Sequence, residues 1–293
     1  MLQLLINGLI AGSLAALIAG GLALVYGILG VFNLALGQMV LIGGYTTWWL
    51  HQVMGVSLFL SILGGMGTGA LLSWGVFAVF IVPFYKRHRF LPLVTTIALG
   101  MILDGLILLA FQESPRSIIT EGKMPIRFMG TYLNLPQMIM IMLTVLLLCL
   151  FAWVMHGTAF GRRLRAVVQH DYAAMSLGIR APVLHRLIFI ASGVLAACGG
   201  IFIGVDMNLS PTLAFPLTIK AYAAVIAGGK GNVWGAIFCA YAISLLEQLV
   251  VGVHWFGTLY IPAGFQSTVA LLVIILFLLL RPQGLFSSTT RAA

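Results

Sequence analysis

The chain alternates long apolar stretches with short polar joints, and the length of each stretch decides what element it forms. A helix needs about 20 mostly apolar residues to cross a bilayer. Stretches of that order run from Leu4 to Val31, Leu58 to Val82, Leu91 to Phe111, Met138 to Met155, Leu187 to Val205, Val233 to Val253 and Ile261 to Leu280. Two shorter ones, Met39 to Val53 and Pro216 to Gly228, adjoin weakly hydrophobic joints at 31–38 (VFNLALGQ) and 228–232 (GGKGN). These joints are candidates for re-entrant or broken backbone, which is tolerated at membrane depth only where protein or a water cavity covers it. The pattern predicts an all-α membrane protein, a polytopic helical bundle of about eight transmembrane helices forming one domain over residues 1–293.

One polar island stands apart, residues 161–179 (GRRLRAVVQHDYAAMSLGI) within a loop at 156–186. Its spacing predicts a short helix with Leu164, Val167 and Val168 on one face. Asp171 is a start signal for a second helix, because a carboxylate there accepts from free backbone N–H groups, and Gly178 is a stop signal. A two-turn helix over Asp171–Gly178 is expected to lie on the membrane surface. An ordinary basic loop that binds anionic headgroups accounts for the same residues, and both readings stand at this point.

Composition agrees with the pattern. Hydrophobic residues make up 61% of the chain and charged ones 7%, with mean hydropathy +1.13; soluble domains carry about 25% charged residues. The net charge of +9 does not imply nucleic acid, because the basic residues sit at the ends of apolar stretches. Three fall at 85–89, five at 156–186 and two in the tail (Arg281 and Arg291), ten of the fifteen in all. The positive-inside bias puts these segments in the cytoplasm, with the N-terminus outside and the C-terminus inside. The first stretch lacks a basic n-region and is read as a retained span. Cys149, Cys198 and Cys239 lie within apolar runs and are read as small core residues, and the scattered histidines show no metal-ligand spacing.

Polar residues inside spans are costly and mark pathways or packing. Asn33, Gln38, Asp104, Lys220 and Glu247 are the candidates. Asn33 and Gln38 flank Gly37 in the first joint, where a helix end can hold a ligand group. Lys220 and Glu247 are able to neutralise each other across neighbouring helices. Asp104 has packing and pathway readings, of which packing is favoured. No Ser/His/Asp set, HExxH motif or carboxylate pair is present, so an enzyme is not expected. GGKGN lacks the pattern of a phosphate-binding loop.

The island, with its Ala-Ala pair followed by Leu-Gly-Ile, resembles the coupling loop of ATP-binding-cassette importer permeases. GGLALVYGILGVFNLALGQ (20–38), TTIALGMIL (95–103), LTIKAYAAVIAGGKGNVWGA (217–236) and RPQGLF (281–286) extend the resemblance over nearly the whole chain, to permease subunits of branched-chain amino acid importers of the LivH kind. The resemblance implies that Asp171, Ala173, Ala174, Leu177 and Gly178 seat in a cytoplasmic ATPase subunit. It also implies that ATP is bound by those partners, so that this chain needs no cofactor of its own. A second homologous permease, an extracytoplasmic substrate-binding protein and a bacterial inner membrane complete the implied setting. Asn33, Gln38, Lys220 and Glu247 become pathway candidates. A bulky charge at Ala174 or Gly178 is expected to uncouple ATP hydrolysis from uptake.

The chain departs from the family pattern at two places. Asn33-Leu34-Ala35-Leu36-Gly37-Gln38 stands where members usually read Asn-Phe-Ala-His-Gly-Glu, and Lys230 and Asn232 interrupt the usual Gly-Gly-Ile-Gly-Ser run. Cargo is therefore read as branched-chain or related amino acids, with a urea- or sugar-type permease as the alternative and a stand-alone secondary carrier behind it.

Overall fold

The computed structural model of the chain describes residues 2–85, 90–119, 125–128, 131–229, 231–252 and 284–286, with single residues between 268 and 279. The basic segment at 86–89, Lys230, most of 261–280, Arg281 and Arg291, all singled out above, lie outside the described residues. The helices are α1 (Leu2–Leu29), α2 (Leu36–Trp48), α3 (Leu58–Val76), α4 (Val82–Tyr85), α5 (Leu91–Phe111), α6 (Leu135–Gly157), α7 (Ala159–Gln169), α8 (Asp171–Ser176), α9 (Ala181–Asp206), α10 (Ala214–Gly228) and α11 (Val233–Gly252). A π-helical stretch at Trp49–Val53 prolongs α2, and one at Phe77–Ile81 joins α3 to α4.

Among the described residues, seven helical segments are long and apolar enough to cross a membrane. The 13-residue α2 is too short to count among them. Its contacts nevertheless carry the chain across together with the preceding joint. Leu34 meets Thr96, Gln38 meets Gly100 and Asp104, and Tyr45 stacks on Phe111, in step along α5. The extended joint and α2 therefore form an eighth crossing, and the joint at Asn33 is the broken part of that crossing. The break at 228–232 is a turn between α10 and α11, with Gly229 and Gly231 at φ +100° and +82°.

The helical bundle carries one short hairpin. Within the polar loop, β1 (Pro125–Phe128) and β2 (Thr131–Asn134) pair antiparallel, Pro125 opposite Asn134 and Phe128 opposite Thr131. Both segments are rich in aromatic and branched residues, and a loop outside the bilayer can hydrate the edges of a two-stranded sheet. The hairpin is tied to the start of α1, where the Gln3 amide exchanges hydrogen bonds with the backbone of Tyr132. Helix α6 begins at Leu135, three residues before the expected start. A capping box explains the difference: the side chains of Asn134 and Gln137 each bond the other's end of the first turn.

Helix α1 is the axis of the bundle; Ala16, Leu17, Ala19 and Leu22 on successive faces are fully buried. It runs antiparallel to α11, with Gly8 against Leu245, Gly12 against Tyr241 and Gly20 against Ile237. Helix α9 crosses α2 and α3 at backbone-to-backbone range. A Cβ at Gly200 would collide with the Val40 carbonyl, and one at Gly193 with the Ser73 hydroxyl. Without water inside the bilayer, such small-residue contacts supply the dispersion energy that holds helices together. A Gly200→Val variant is expected to lose about 3 kcal/mol, the upper end for forced overpacking. The check is thermal stability in mild detergent, with Gly67→Val, where an added Cβ meets nothing within 4 Å, as the unaffected control.

Helices α5 and α6 bury one stripe each, Thr96, Leu99, Gly100, Leu103 and Ile107 on α5 and Met140, Thr144 and Leu148 on α6. Their remaining faces are apolar and exposed, as a lipid-bathed surface requires. Cys198 and Cys239 are buried as expected, whereas Cys149 lies on the exposed side of α6.

The bundle has two ends. At the first, Gln137 donates to Asp206 at 2.8 Å, and residues Arg116 and Ile118 pair with Leu209 and Gly204. The start of α1 and the hairpin belong to this end. At the second lie the start of α9, the α7–α8 elbow, and the 228–232 turn, where Gly231 packs on Gly27.

Candidate functional site

Three constellations carry the candidate residues. The elbow between α6 and α9 is the most exposed of them. Thr158 caps α7 by accepting from the Gly161 backbone, and the Arg165 guanidinium closes onto the Met155 carbonyl. Leu164 and Val167 point inward as expected. Val168 does not; it is half exposed, because the inward stripe is one residue narrower than the pattern implied. Helix α8 starts at Asp171, and the N-cap position is occupied by His170 instead of Asp171. The Asp171 side chain lies outside the described residues.

Gly178, at φ +83°, turns the chain back so that Ile179 donates to the Ala174 carbonyl. The two faces of α8 are then distinct. Ala174 is 2% exposed and holds the elbow against the bundle, whereas Tyr172 and Leu177 are 81% and 82% exposed. Ala173 and Gly178 share the outer side with them. A charge at Ala174 therefore tests the seating of the elbow, and a charge at Leu177 tests its outer surface. Tyr172 and Met175 belong to that surface and had no signal in the sequence beyond being apolar within a polar island.

The second constellation is the joint and its seam with α5. Asn33 is buried and closes a turn on itself, its Oδ1 accepting from the Ala35 N–H at 3.2 Å. Thr96 on α5 accepts from the Leu34 N–H, and Thr218 on α10 accepts from the Gly37 N–H at 3.0 Å. These two threonines satisfy backbone groups that a continuous helix would have paired, and they were not among the residues singled out by sequence. Gly37 is required here because a Cβ would overlap the Ala214 carbonyl.

Further along, the Gln38 amide donates to Asp104 Oδ2 at 3.0 Å. Gln38 Oε1 and Asp104 Oδ1 are both buried and without a partner. Past the end of α5, Arg116 sits 4.9 Å over the Trp48 ring, Trp48 meets Phe111 edge-on, and Tyr45 stacks on Phe111 at 4.3 Å. Arg116 Nε and the Tyr45 hydroxyl are likewise buried without a partner.

The third constellation is the ion pair of Lys220 on α10 with Glu247 on α11, as the sequence suggested. Glu247 is almost wholly enclosed, and Lys220 retains some exposure. Among the described residues no hydrogen bond joins this pair to Asn33, Gln38 or Asp104, so the four pathway candidates are not linked into one bonded cluster.

At the second end of the bundle two of the sequence blocks meet. Leu285 and Phe286 donate to the carbonyls of Ala227 and Gly228, and Asn232 donates to the Phe286 carbonyl while its Oδ1 caps α11. The Gly284–Phe286 segment thereby closes the open carbonyls at the end of α10.

Several known proteins are similar to this chain. A family model described as branched-chain amino acid transport system / permease component matches residues 4–279. The high-affinity branched-chain amino acid transport system permease protein BraD of Pseudomonas aeruginosa is 27% identical, over 97% of this chain and 95% of its own. LivH of Escherichia coli is 26% identical, over 97% and 94%. The autoinducer 2 import system permease protein LsrC of Salmonella paratyphi B is 32% identical over 45% of this chain and 38% of its own. A solved structure of PsaBC from Streptococcus pneumoniae in complex with Fab shares the fold, with a TM-score of 0.50, 16% identity and coverage of 94% and 91%.

Proposed function

Since this chain belongs to the family of branched-chain amino acid transport permease components, we propose how its parts divide the work of an ATP-driven importer. The family is one of multi-pass transport components, not of enzymes. The observation that carries the reading is the elbow: Tyr172, Met175 and Leu177 are exposed on a segment anchored by buried Leu164, Val167 and Ala174. Exposed large apolar side chains on a rigid, basic surface segment are suited to a protein partner.

In this reading, cytoplasmic ATPase subunits receive the outer face of α8, with Asp171, Ala173, Leu177 and Gly178 at the contact. Closure of the ATPases pushes on α8, and the Ile179 and Ala174 contacts pass the displacement to α9. ATP is held by the partners. A second homologous permease completes the pathway, and an extracytoplasmic binding protein delivers the cargo at the end that holds Arg116 and the hairpin. The second end, with the elbow and Gly284–Phe286, faces the cytoplasm of a bacterial inner membrane. The positive-inside count supports that orientation.

Cargo is a branched-chain or related amino acid. The partial likeness to an autoinducer 2 permease favours, as a second reading, another small polar solute. The test is a mild-detergent pull-down of the tagged chain from its native membrane, followed by uptake of labelled leucine, ribose and urea into proteoliposomes holding the recovered complex. Co-purified ATPase chains and leucine uptake support the reading. A chain that purifies alone yet carries out uptake overturns it, and ribose or urea uptake without leucine uptake moves the cargo to the second reading.

A further inference from the structure

The seam between α2 and α5 holds four buried polar atoms that meet no partner, and they are sorted by charge along its length. Mid-helix are two acceptors, Gln38 Oε1 and Asp104 Oδ1. Gln38 is 4% exposed, so water does not reach its amide freely. Asp104 has no cation beside it; among the described residues the ion pair is Lys220 with Glu247. At the first end of the bundle are Arg116 Nε, a donor, and the Tyr45 hydroxyl, which donates as well as accepts and belongs to a side chain 1% exposed. Trp48 and Tyr45 are one turn apart on α2, and both rings pack on Phe111, so Arg116, Trp48, Phe111 and Tyr45 form one wall.

A buried acceptor or donor left unpaired costs free energy, and a carboxylate in a membrane span costs more. Four such atoms on one seam, donors at one end and acceptors in the middle, are complementary to a molecule that carries an anionic acceptor and a cationic donor together. Gly100 lets the α5 backbone lie against Gln38: a Cβ there would stand at van der Waals range, 3.4 Å, from the nitrogen and oxygen of its amide.

We propose that the α2–α5 seam is a relay for zwitterionic amino acids, with Arg116 and Tyr45 receiving the carboxylate and Asp104 with Gln38 Oε1 receiving the ammonium. The proposal rests on the amino acid cargo assigned above. Asp104 and Phe111 are separated by about 10 Å along α5, too far for one α-amino acid to reach both stations at once, so the stations are visited in succession. No covalent step is involved.

The competing physical account of the inner station is a protonated Asp104 whose O–H donates to Gln38 Oε1 while the amide donates back. Asp104→Asn separates the two, because an amide supplies that donor but not the negative charge. The experiment uses the complete transporter in proteoliposomes with its binding protein and labelled leucine, ATP hydrolysis being followed in parallel. A charge-assisted hydrogen bond lost from the pathway slows transport about tenfold or more. Asp104→Asn is expected to show that loss in leucine uptake, and Arg116→Gln to show a loss of similar size.

Near-normal uptake by Asp104→Asn overturns the relay and leaves a structural acid–amide pair. If Asp104→Asn does not accumulate in the membrane, Gln38→Met decides. Several-fold slower uptake by a stably inserted Gln38→Met supports the relay, and unchanged uptake overturns it. Leucine uptake by the unaltered transporter reports separately on the cargo assignment, so failure of the relay and failure of that reading are distinguishable.

Discussion

A Leu177→Glu variant is expected to reach the membrane in normal amounts and to retain about one hundredth of the uptake of the unaltered chain, since an interface anchor is worth about 2–4 kcal/mol and each 1.4 kcal/mol is tenfold. Leu177 is 82% exposed and makes no side-chain contact that the fold needs, so the substitution leaves the elbow seated. What it changes is the apolar surface offered to the ATPase subunits, where a carboxylate would be desolvated without a partner. The measurements are labelled leucine uptake, membrane abundance by quantitative immunoblot, and co-purification of the ATPase chains. Normal uptake with normal abundance would remove the elbow from the ATPase contact. Ala174→Glu provides the contrast. Ala174 is enclosed, and its variant is expected to lower membrane abundance before it affects coupling.

The second large effect is expected at the Lys220–Glu247 pair. Lys220→Met removes the partner of a carboxylate that is only 3% exposed, and breaking an enclosed pair from one side costs about 3 kcal/mol. The Lys220→Met/Glu247→Leu double variant removes both charges and is expected to return within about 1 kcal/mol of the unaltered protein, because replacing a buried pair by apolar side chains is often near neutral. Stability is read from thermal unfolding in detergent, and function from leucine uptake. A double variant that regains both stability and uptake makes the pair a fastener between α10 and α11. One that regains stability but not uptake places the pair on the cargo route. A single variant as stable as the parent would show that the pair contributes nothing to stability as an ion pair.

The order of spans and joints was legible in the sequence, and so was the polar island with its stop at Gly178. Those features depend on local composition, and a bilayer imposes them directly: apolar residues must outlast its thickness, and backbone breaks must be covered. Within the spans the sequence was silent about direction. Helices such as α1 and α5 are apolar on every side, so no stripe marks the face that packs, and only the bundle shows α1 buried on nearly every face from Ile10 to Val25 and α5 exposed on most of its surface. That is also why Cys149, expected in the core, lies on the exposed side of α6.

What only the tertiary structure decided was which polar groups meet. Glu247 finds Lys220 across 27 residues, Asp104 finds Gln38 across 66, and Asn232 finds the Phe286 carbonyl across 54. The sequence held every one of these residues, and the first pairing was open to a guess from charge. The others follow from helices brought side by side by glycine contacts such as Gly200 on Val40 and Gly37 on Ala214, which are set by shape and leave no periodic mark. Fold class is therefore a property of the chain's composition against a membrane. The seam, the enclosed ion pair and the two faces of α8 are properties of its packing, because each depends on which side of a helix its neighbours cover.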